Sequence, residues 1–213
     1  MRMRRKKNLV PRMEGCADIW EKNPALRKGL WLKDTSFADA HLEIGCGKGT
    51  FTTQTAEKFP NTRLIAIERE QNVLLLAMEK TKKLEISNIL FIDGDARFLT
   101  DYFEKGELSR IYLNFSDPWP GPRHAKRRLT APGFLEIYKE ILADAGEIHL
   151  KTDNVPLFDY SLQTLEAAGF LLTEISRNLH EHAEVGIMTD YEAKFHGMGV
   201  PICRVVAIKE SGV

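Results

Sequence analysis

Asp117 stands in the run Asn114-Phe115-Ser116-Asp117-Pro118-Trp119-Pro120, behind an apolar segment and beside two prolines. Proline fixes φ and removes a backbone donor, so this carboxylate sits in a turn with little freedom. The block Arg123-His124-Ala125-Lys126-Arg127-Arg128 follows and contains no acid. A rigid carboxylate beside a set of cations points to a pocket that works on nucleic acid, with the cations on phosphates. Trp119 is able to stack on a base, although a lone tryptophan more commonly packs over its own turn.

A second constellation begins at Glu43-Ile44-Gly45-Cys46-Gly47-Lys48-Gly49. Glycines at alternate positions let a backbone turn sharply and approach a ligand closely. The spacing is Gly-x-Gly-x-Gly, whereas dinucleotide binders carry Gly-x-Gly-x-x-Gly. Lys48 is followed by Gly49 where a triphosphate-binding loop needs Ser or Thr, which disfavours a nucleoside triphosphatase. Glu68 lies 19 residues after Gly49, where a carboxylate accepts both hydroxyls of a ribose. Asp95, in Asp93-Gly94-Asp95-Ala96, is placed to accept an adenine amine. Taken singly, each is equally a loop acid or a helix cap. In sequence at successive strand ends, they favour a ribose and an adenine without phosphates. S-adenosylmethionine fits that description, with Glu43 near its charged end.

These residues must be held at the ends of strands, and the hydropathy pattern supplies them. Leu42 to Ile44, Leu64 to Ile67, Ile89 to Ile92, Arg110 to Phe115 and Glu147 to Leu150 read as strands. Helices are expected over residues 50–58, 71–84 and 154–168, with Lys80, Lys82 and Lys83 suited to the end of the second. Thr130 reads as an N-cap for a helix whose apolar face is Phe134, Leu135, Tyr138, Ile141 and Leu142. Residues 170–175 and 202–208 close the chain as strands. The alternation predicts an α/β fold: a Rossmann-like, seven-stranded, mostly parallel sheet with an antiparallel edge strand and helices on both faces. Residues 1–36 read as a basic arm and irregular segment, and residues 37–213 as the domain.

Composition sets bounds. The 213 residues carry 30 basic and 30 acidic side chains, so a generic nucleic-acid binder is not what the net charge of zero describes. The distribution is uneven. Arg2, Arg4, Arg5, Lys6, Lys7 and Arg12 lie in the first 12 residues without an acid, and four more cations lie in residues 123–128. Taking those ten from 30 leaves 20 basic residues against 30 acidic, a body of charge −10 carrying two basic patches. The three cysteines form no Cys-x-x-Cys pair, so neither a disulfide frame nor a metal site is expected, and a reducing cytoplasm suits them. The longest apolar run is too short to span a bilayer, so no membrane partner is expected.

The glycine loop, the Asp117 run with its Arg-His-x-Lys-Arg-Arg continuation, the segment His149-Leu150-Lys151-Thr152-Asp153-Asn154 and residues 189–195 together resemble the bacterial tRNA (guanine-N7-)-methyltransferase family. The resemblance covers nearly the whole chain. It implies methyl transfer from S-adenosyl-L-methionine to N7 of a guanine in tRNA, at a variable-loop guanosine. It implies cofactor contacts at Glu43, Gly45, Gly47, Gly49, Glu68, Asp95 and Asp117, with Asp117 also catalytic. Guanosine contacts fall on Asp153, Thr189, Asp190, Tyr191 and Glu192, and RNA contacts on Arg123, His124, Lys126, Arg127 and Arg128. From the residues alone, the Asp153 segment is equally a capped helix start and residues 189–192 an amphipathic turn. The chain departs from the family at Gly121-Pro122, where relatives usually carry two lysines. A monomer or homodimer is expected. Three other readings compete: a methyltransferase for exocyclic amines, a non-catalytic RNA-binding module, and a nicotinamide dehydrogenase, the last disfavoured by the glycine spacing.

Overall fold

The computed structural model of the chain describes residues 7–33, 35–181 and 186–210. Arg2, Arg4, Arg5 and Lys6 of the basic arm lie outside the described residues. In chain order the elements are α1 (Leu9–Glu14), β1 (Asp39–Ile44), α2 (Thr50–Lys58), β2 (Thr62–Glu68), α3 (Gln71–Lys83), β3 (Ile89–Asp93) and α4 (Leu99–Tyr102). Then come β4 (Leu108–Asn114), α5 (Pro132–Ile141), β5 (Leu142–Thr152), α6 (Val155–Ala167), β6 (Phe170–Ser176), α7 (Asp190–Gly197) and β7 (Cys203–Lys209).

The strands form one seven-stranded sheet in the order β3-β2-β1-β4-β5-β7-β6. Strands β1 to β5 are parallel, and β7 runs antiparallel between β5 and β6. The mostly parallel sheet is therefore as expected. Its antiparallel pairings are β5 with β7 and β7 with β6, so the reversed strand lies second from the edge and not at the edge itself. Because side chains alternate across a strand, the sheet divides its residues between two cores. Ile44, Ile67 and Leu113 pack with Tyr138 of α5 and Phe158 of α6. Leu64, Ala66 and Tyr112 pack on the other face with Phe51 of α2 and Leu74 of α3. The strand order reverses between β1 and β4, and there the crevice opens beyond their carboxyl ends.

Four local expectations need correction. Residues 9–14, expected to be irregular, form α1, and Leu9 and Met13 pack against the α3 side of the sheet. Residues 19–21 pair with Phe91, covering the exposed edge of β3, and Trp31 is buried with its Nε1 donating to Tyr102 O at 2.9 Å. Thr130 does not cap α5; its hydroxyl lies 2.7 Å from Ser161 Oγ inside the core, and Ala131 occupies the cap position. Strand β5 starts at Leu142, before Gly146, with a register shift opposite residues 108–110. Residues 189–192 open a helix, because Thr189 and Glu192 form a reciprocal capping box.

Among the described residues no helix is long and apolar enough to cross a membrane. Nor do they hold a group of three or more His, Cys, Asp or Glu side chains able to hold a metal ion.

The glycine loop shows why residue type matters. Gly49 has φ of 74°, and a Cβ there would stand 2.8 Å from Ala77 Cβ and 3.0 Å from its Cα on α3. Left-handed backbone costs an ordinary residue about 1–2 kcal/mol, and overpacking adds about 1–3 kcal/mol. Gly49→Ala is expected to lose about 2–5 kcal/mol by denaturant unfolding. Equal stability of Gly49→Ala and the parent chain would contradict this packing.

Candidate active site

At the carboxyl ends of β1, β2, β3 and β4 lies a cleft of about 730 Å³, and Gly45, Glu68, Asp95, Asp117, Lys126 and Arg127 are among its walls. Gly45 and Gly47 have φ of 78° and 57°, and an added Cβ at either meets nothing within 4 Å. Both backbone positions are open to a ligand. Glu68 is anchored by backbone donors: Gly47 N donates to Oε2 at 3.3 Å and Glu70 N to Oε1 at 3.0 Å. Asp95 caps a 3-10 turn by accepting from Arg97 N at 3.0 Å, and the Arg97 guanidinium pairs with both of its oxygens. That contact holds the Asp95 carboxyl below its ordinary range.

Glu43 is not on the cleft wall. It is buried under α2, where Thr52 Oγ1 donates to it at 2.5 Å and Asn114 Nδ2 lies at 3.5 Å. Burial pushes its carboxyl up to about 7, against the pull of those two donors. Gly49 shapes the turn behind Gly45 and Gly47, packed against Ala77.

Asp117 is exposed beyond β4. Phe115 and Trp119 on either side have φ of 50° and 43°, so the chain twists twice around the acid. Arg128 fixes that turn, with Nε donating to Pro118 O at 3.0 Å and NH2 to Trp119 O at 3.3 Å. Its guanidinium also lies 4.3 Å over the Tyr160 ring. Arg127 lies 4.8 Å over the Trp119 ring. Arg123, His124, Lys126 and Arg127 are exposed on the 3-10 turn Pro122–Arg127. Gly121, with φ of 89°, makes the bend into Pro122, so Gly121-Pro122 sets the entry to this turn.

Residues 189–192 approach from the other face. Tyr191 is 45% exposed and its ring lies 5.0 Å from that of Phe115, which lines the cleft. The Asp190 carboxylate accepts from Thr50 Oγ1 at 2.7 Å. Glu192 is fully buried: Lys151 Nζ lies 3.0 Å from one oxygen and 3.3 Å from the other, and His180 Nε2 is 3.5 Å away. Asp153 is half-buried just past β5.

The fold thus gathers Gly45, Glu68, Asp95, Asp117 and two of the cations in one cleft, and brings Tyr191 to its rim. It sets Glu43 and Glu192 inside the protein. Several functional side chains escaped the sequence reading. Arg69 and Arg97 also line the cleft. Lys80 and Lys82 lie in the last turn of α3 as expected, and they also reach Thr50 and Asp18. The Thr-x-x-Glu spacing of residues 189–192 was the available signal for a helix start.

Comparison with known proteins gives the family and the fold. A family model described as "Putative methyltransferase" matches residues 38–205. The chain is 46% identical over 208 residues to the tRNA (guanine-N(7)-)-methyltransferase of Bacillus subtilis, covering 96% of this chain and 97% of the other. It is 45% identical over 209 residues to the protein of that name in Listeria monocytogenes serotype 4b, covering 97% and 98%. Among solved structures, the 16S rRNA methyltransferase KamB shares the fold with a TM-score of 0.64 at 14% identity, covering 82% of this chain and 89% of that one. A precorrin-6y C5,15-methyltransferase from Geobacter metallireducens does so with a TM-score of 0.58 at 15% identity, covering 96% and 93%.

The burial of Glu43 has a measurable consequence. Its carboxyl titrates at about 7 in the folded chain and at 4.5 ordinarily. The folded state therefore holds the proton more tightly. The resulting stability is complete below the ordinary value and lost as pH rises through about 7. The loss is expected to be of order 3 kcal/mol, and Glu43→Gln should remove that part of the pH dependence of unfolding. An unchanged profile in Glu43→Gln would assign the dependence elsewhere.

Proposed function

We propose, for a chain that belongs to the tRNA (guanine-N(7)-)-methyltransferase family, that it transfers a methyl group from S-adenosylmethionine to N7 of a guanine in tRNA. The observation that carries this reading is the position of Asp117: an exposed carboxylate on the wall of the cleft that also holds Gly45 and Glu68, with Lys126 and Arg127 alongside. A variable-loop guanosine is the target we favour, from the family resemblance. Family membership displaces the dehydrogenase and non-catalytic readings.

The residues fit the cofactor. The bare backbone at Gly45 and Gly47 admits a close ligand, and the cleft is large enough for an adenosine with an amino-acid tail. Glu68 would accept the ribose hydroxyls. Asp95 would accept the adenine amine once Arg97 turns aside. Glu43, buried off the cleft wall, would act through Thr52 and Asn114. S-adenosylmethionine supplies an electrophilic methyl on sulfur, and transfer leaves the neutral thioether S-adenosylhomocysteine.

Guanine N7 carries a free lone pair at neutral pH, so no side chain has to remove a proton before attack. The protein's work is to position the base, and holding two reactants in line is worth about 7–11 kcal/mol. As the new bond forms the purine gains positive charge, which the Asp117 carboxylate stabilises. Tyr191 beside Phe115 offers a face for the base, and such stacking contributes about 1–3 kcal/mol. Asp153 is the acid left to accept from guanine N1–H and its amine, which selects guanine over adenine. Glu192, being buried, acts by holding α7, with Thr189 capping it. Arg123, His124, Lys126 and Arg127 meet phosphate, while Arg128 holds the Asp117 turn. Extracting a stacked base costs a few kcal/mol, which phosphate contacts offset.

Asp117→Ala is expected to fold as the parent does and to lose methyl transfer by about 10²-fold or more. Turnover within about threefold of the parent would remove Asp117 from the mechanism. Lys126→Ala should weaken tRNA binding and lower the slope of log affinity against log salt by about 1. Arg128→Ala should lower turnover with less change in that slope. The reverse pattern would exchange their roles.

A further inference from the structure

We infer that Thr50 and Lys80 are positioning residues that lock the tRNA side of the site to the cofactor loop through Asp190. The inference rests on the proposed role of residues 189–192 at the guanosine.

Thr50 is the first residue of α2, directly after Gly49. Its hydroxyl meets two charged groups at once. Lys80 Nζ, from α3, hydrogen-bonds Thr50 Oγ1. Asp190, the first residue of α7, has Oδ2 2.7 Å from the same oxygen. An ammonium can only donate and a carboxylate can only accept. The hydroxyl must therefore accept from Lys80 and donate to Asp190, so its proton has one direction. The result is a relay from cation to hydroxyl to anion, and hydrogen bonds to ionised partners are among the stronger ones.

The relay depends on the close approach described above. Ala77 and Lys80 are three residues apart on α3, so they share a face. Gly49 lets Ala77 come within contact of the loop, and that contact brings Lys80 to Thr50. On the far side Asp190 is followed by Tyr191, whose ring lies against Phe115 on the cleft wall. Three elements distant in sequence are thereby joined at one hydroxyl, with separations of 30 and 140 residues. The turn that receives the cofactor also fixes where α7 presents Tyr191. Thr50 itself is not on the cleft wall, so it acts through Asp190 and not on a ligand.

Steady-state kinetics of the full chain with a tRNA transcript and S-adenosylmethionine test this. Thr50→Val, which keeps shape and removes the hydroxyl, should raise the KM for tRNA about three- to tenfold. It should leave kcat, and S-adenosylmethionine affinity measured without tRNA, within about twofold. Thr50→Ser should restore the parent KM, and Lys80→Met should give a similar but smaller rise. Thr50→Val added to Asp190→Ala should be no worse than Asp190→Ala alone. A parent-like KM in Thr50→Val, with a raised KM in Asp190→Ala, would overturn the inference and leave the role of residues 189–192 standing. Parent-like KM values in both Asp190→Ala and Tyr191→Ala would instead remove that role. An equal loss of tRNA and S-adenosylmethionine binding in Thr50→Val would also overturn the inference, since it would mean general disruption of the loop.

Discussion

Helix α7 buries one side chain, Glu192, and that side chain is charged. An apolar stripe normally docks a surface helix, but here the anchor is an ion pair with Lys151 at the end of β5. Taking both charges out of water is costly, and the arrangement holds only because every oxygen is met: Lys151 reaches both, and Thr189 N lies 3.4 Å from Oε2. Lys151 in turn donates to Ile187 O at 2.9 Å, securing the chain just before α7. Burial lowers the Lys151 ammonium from its ordinary range while Glu192 pulls it back. A buried pair of this kind specifies position more than it stabilises. Position is what the site requires, because Asp190 and Tyr191 lie on the same first turn.

The acids of the site are sorted by what surrounds them. Glu68 is held by backbone donors and keeps a face to the cleft. Asp95 is held by Arg97, a partner exposed enough to move. Asp117 is exposed in a turn that Arg128 and two left-handed residues keep in place. Glu43 and Glu192 are inside, Glu43 bonded to Thr52 of α2 and Asn114 of β4, and Glu192 to Lys151 of β5. Five carboxylates near one another thus divide into three that line the cleft and two that are buried. The division follows from sheet register. Glu43, Asn114 and Lys151 project toward the α2 face of the sheet, whereas Ile44, Leu113 and Leu150 project toward α5 and α6.

Much of this was legible in the sequence. Strand–helix alternation gives the parallel sheet because each strand buried on both faces reads as an apolar run. Glu68, Asp95 and Asp117 were found because ligands lie beyond strand ends, and strand ends are visible as the last apolar residue. Side-chain direction was not visible. Glu43 and Ile44 are neighbours, and only the register tells which one turns from the cleft. The Lys151–Glu192 pair joins residues 41 apart on elements whose docking no local pattern announces. Arg128 looked like its neighbours in a cationic block, yet its carbonyl partners make it part of the turn. The segment before β1 looked irregular because Trp20, Pro24 and Trp31 are scattered among charges; its role is to cover the β3 edge, which is a tertiary demand.

The central claim is that this cleft delivers a methyl group to N7 of guanine. The most direct test is to incubate the full chain with unmodified tRNA and S-adenosylmethionine labelled in its methyl group, digest the RNA and identify the labelled nucleoside. The account predicts label in N7-methylguanosine, recognisable by its fixed positive charge. Label in a nucleoside methylated on an exocyclic amine would contradict it.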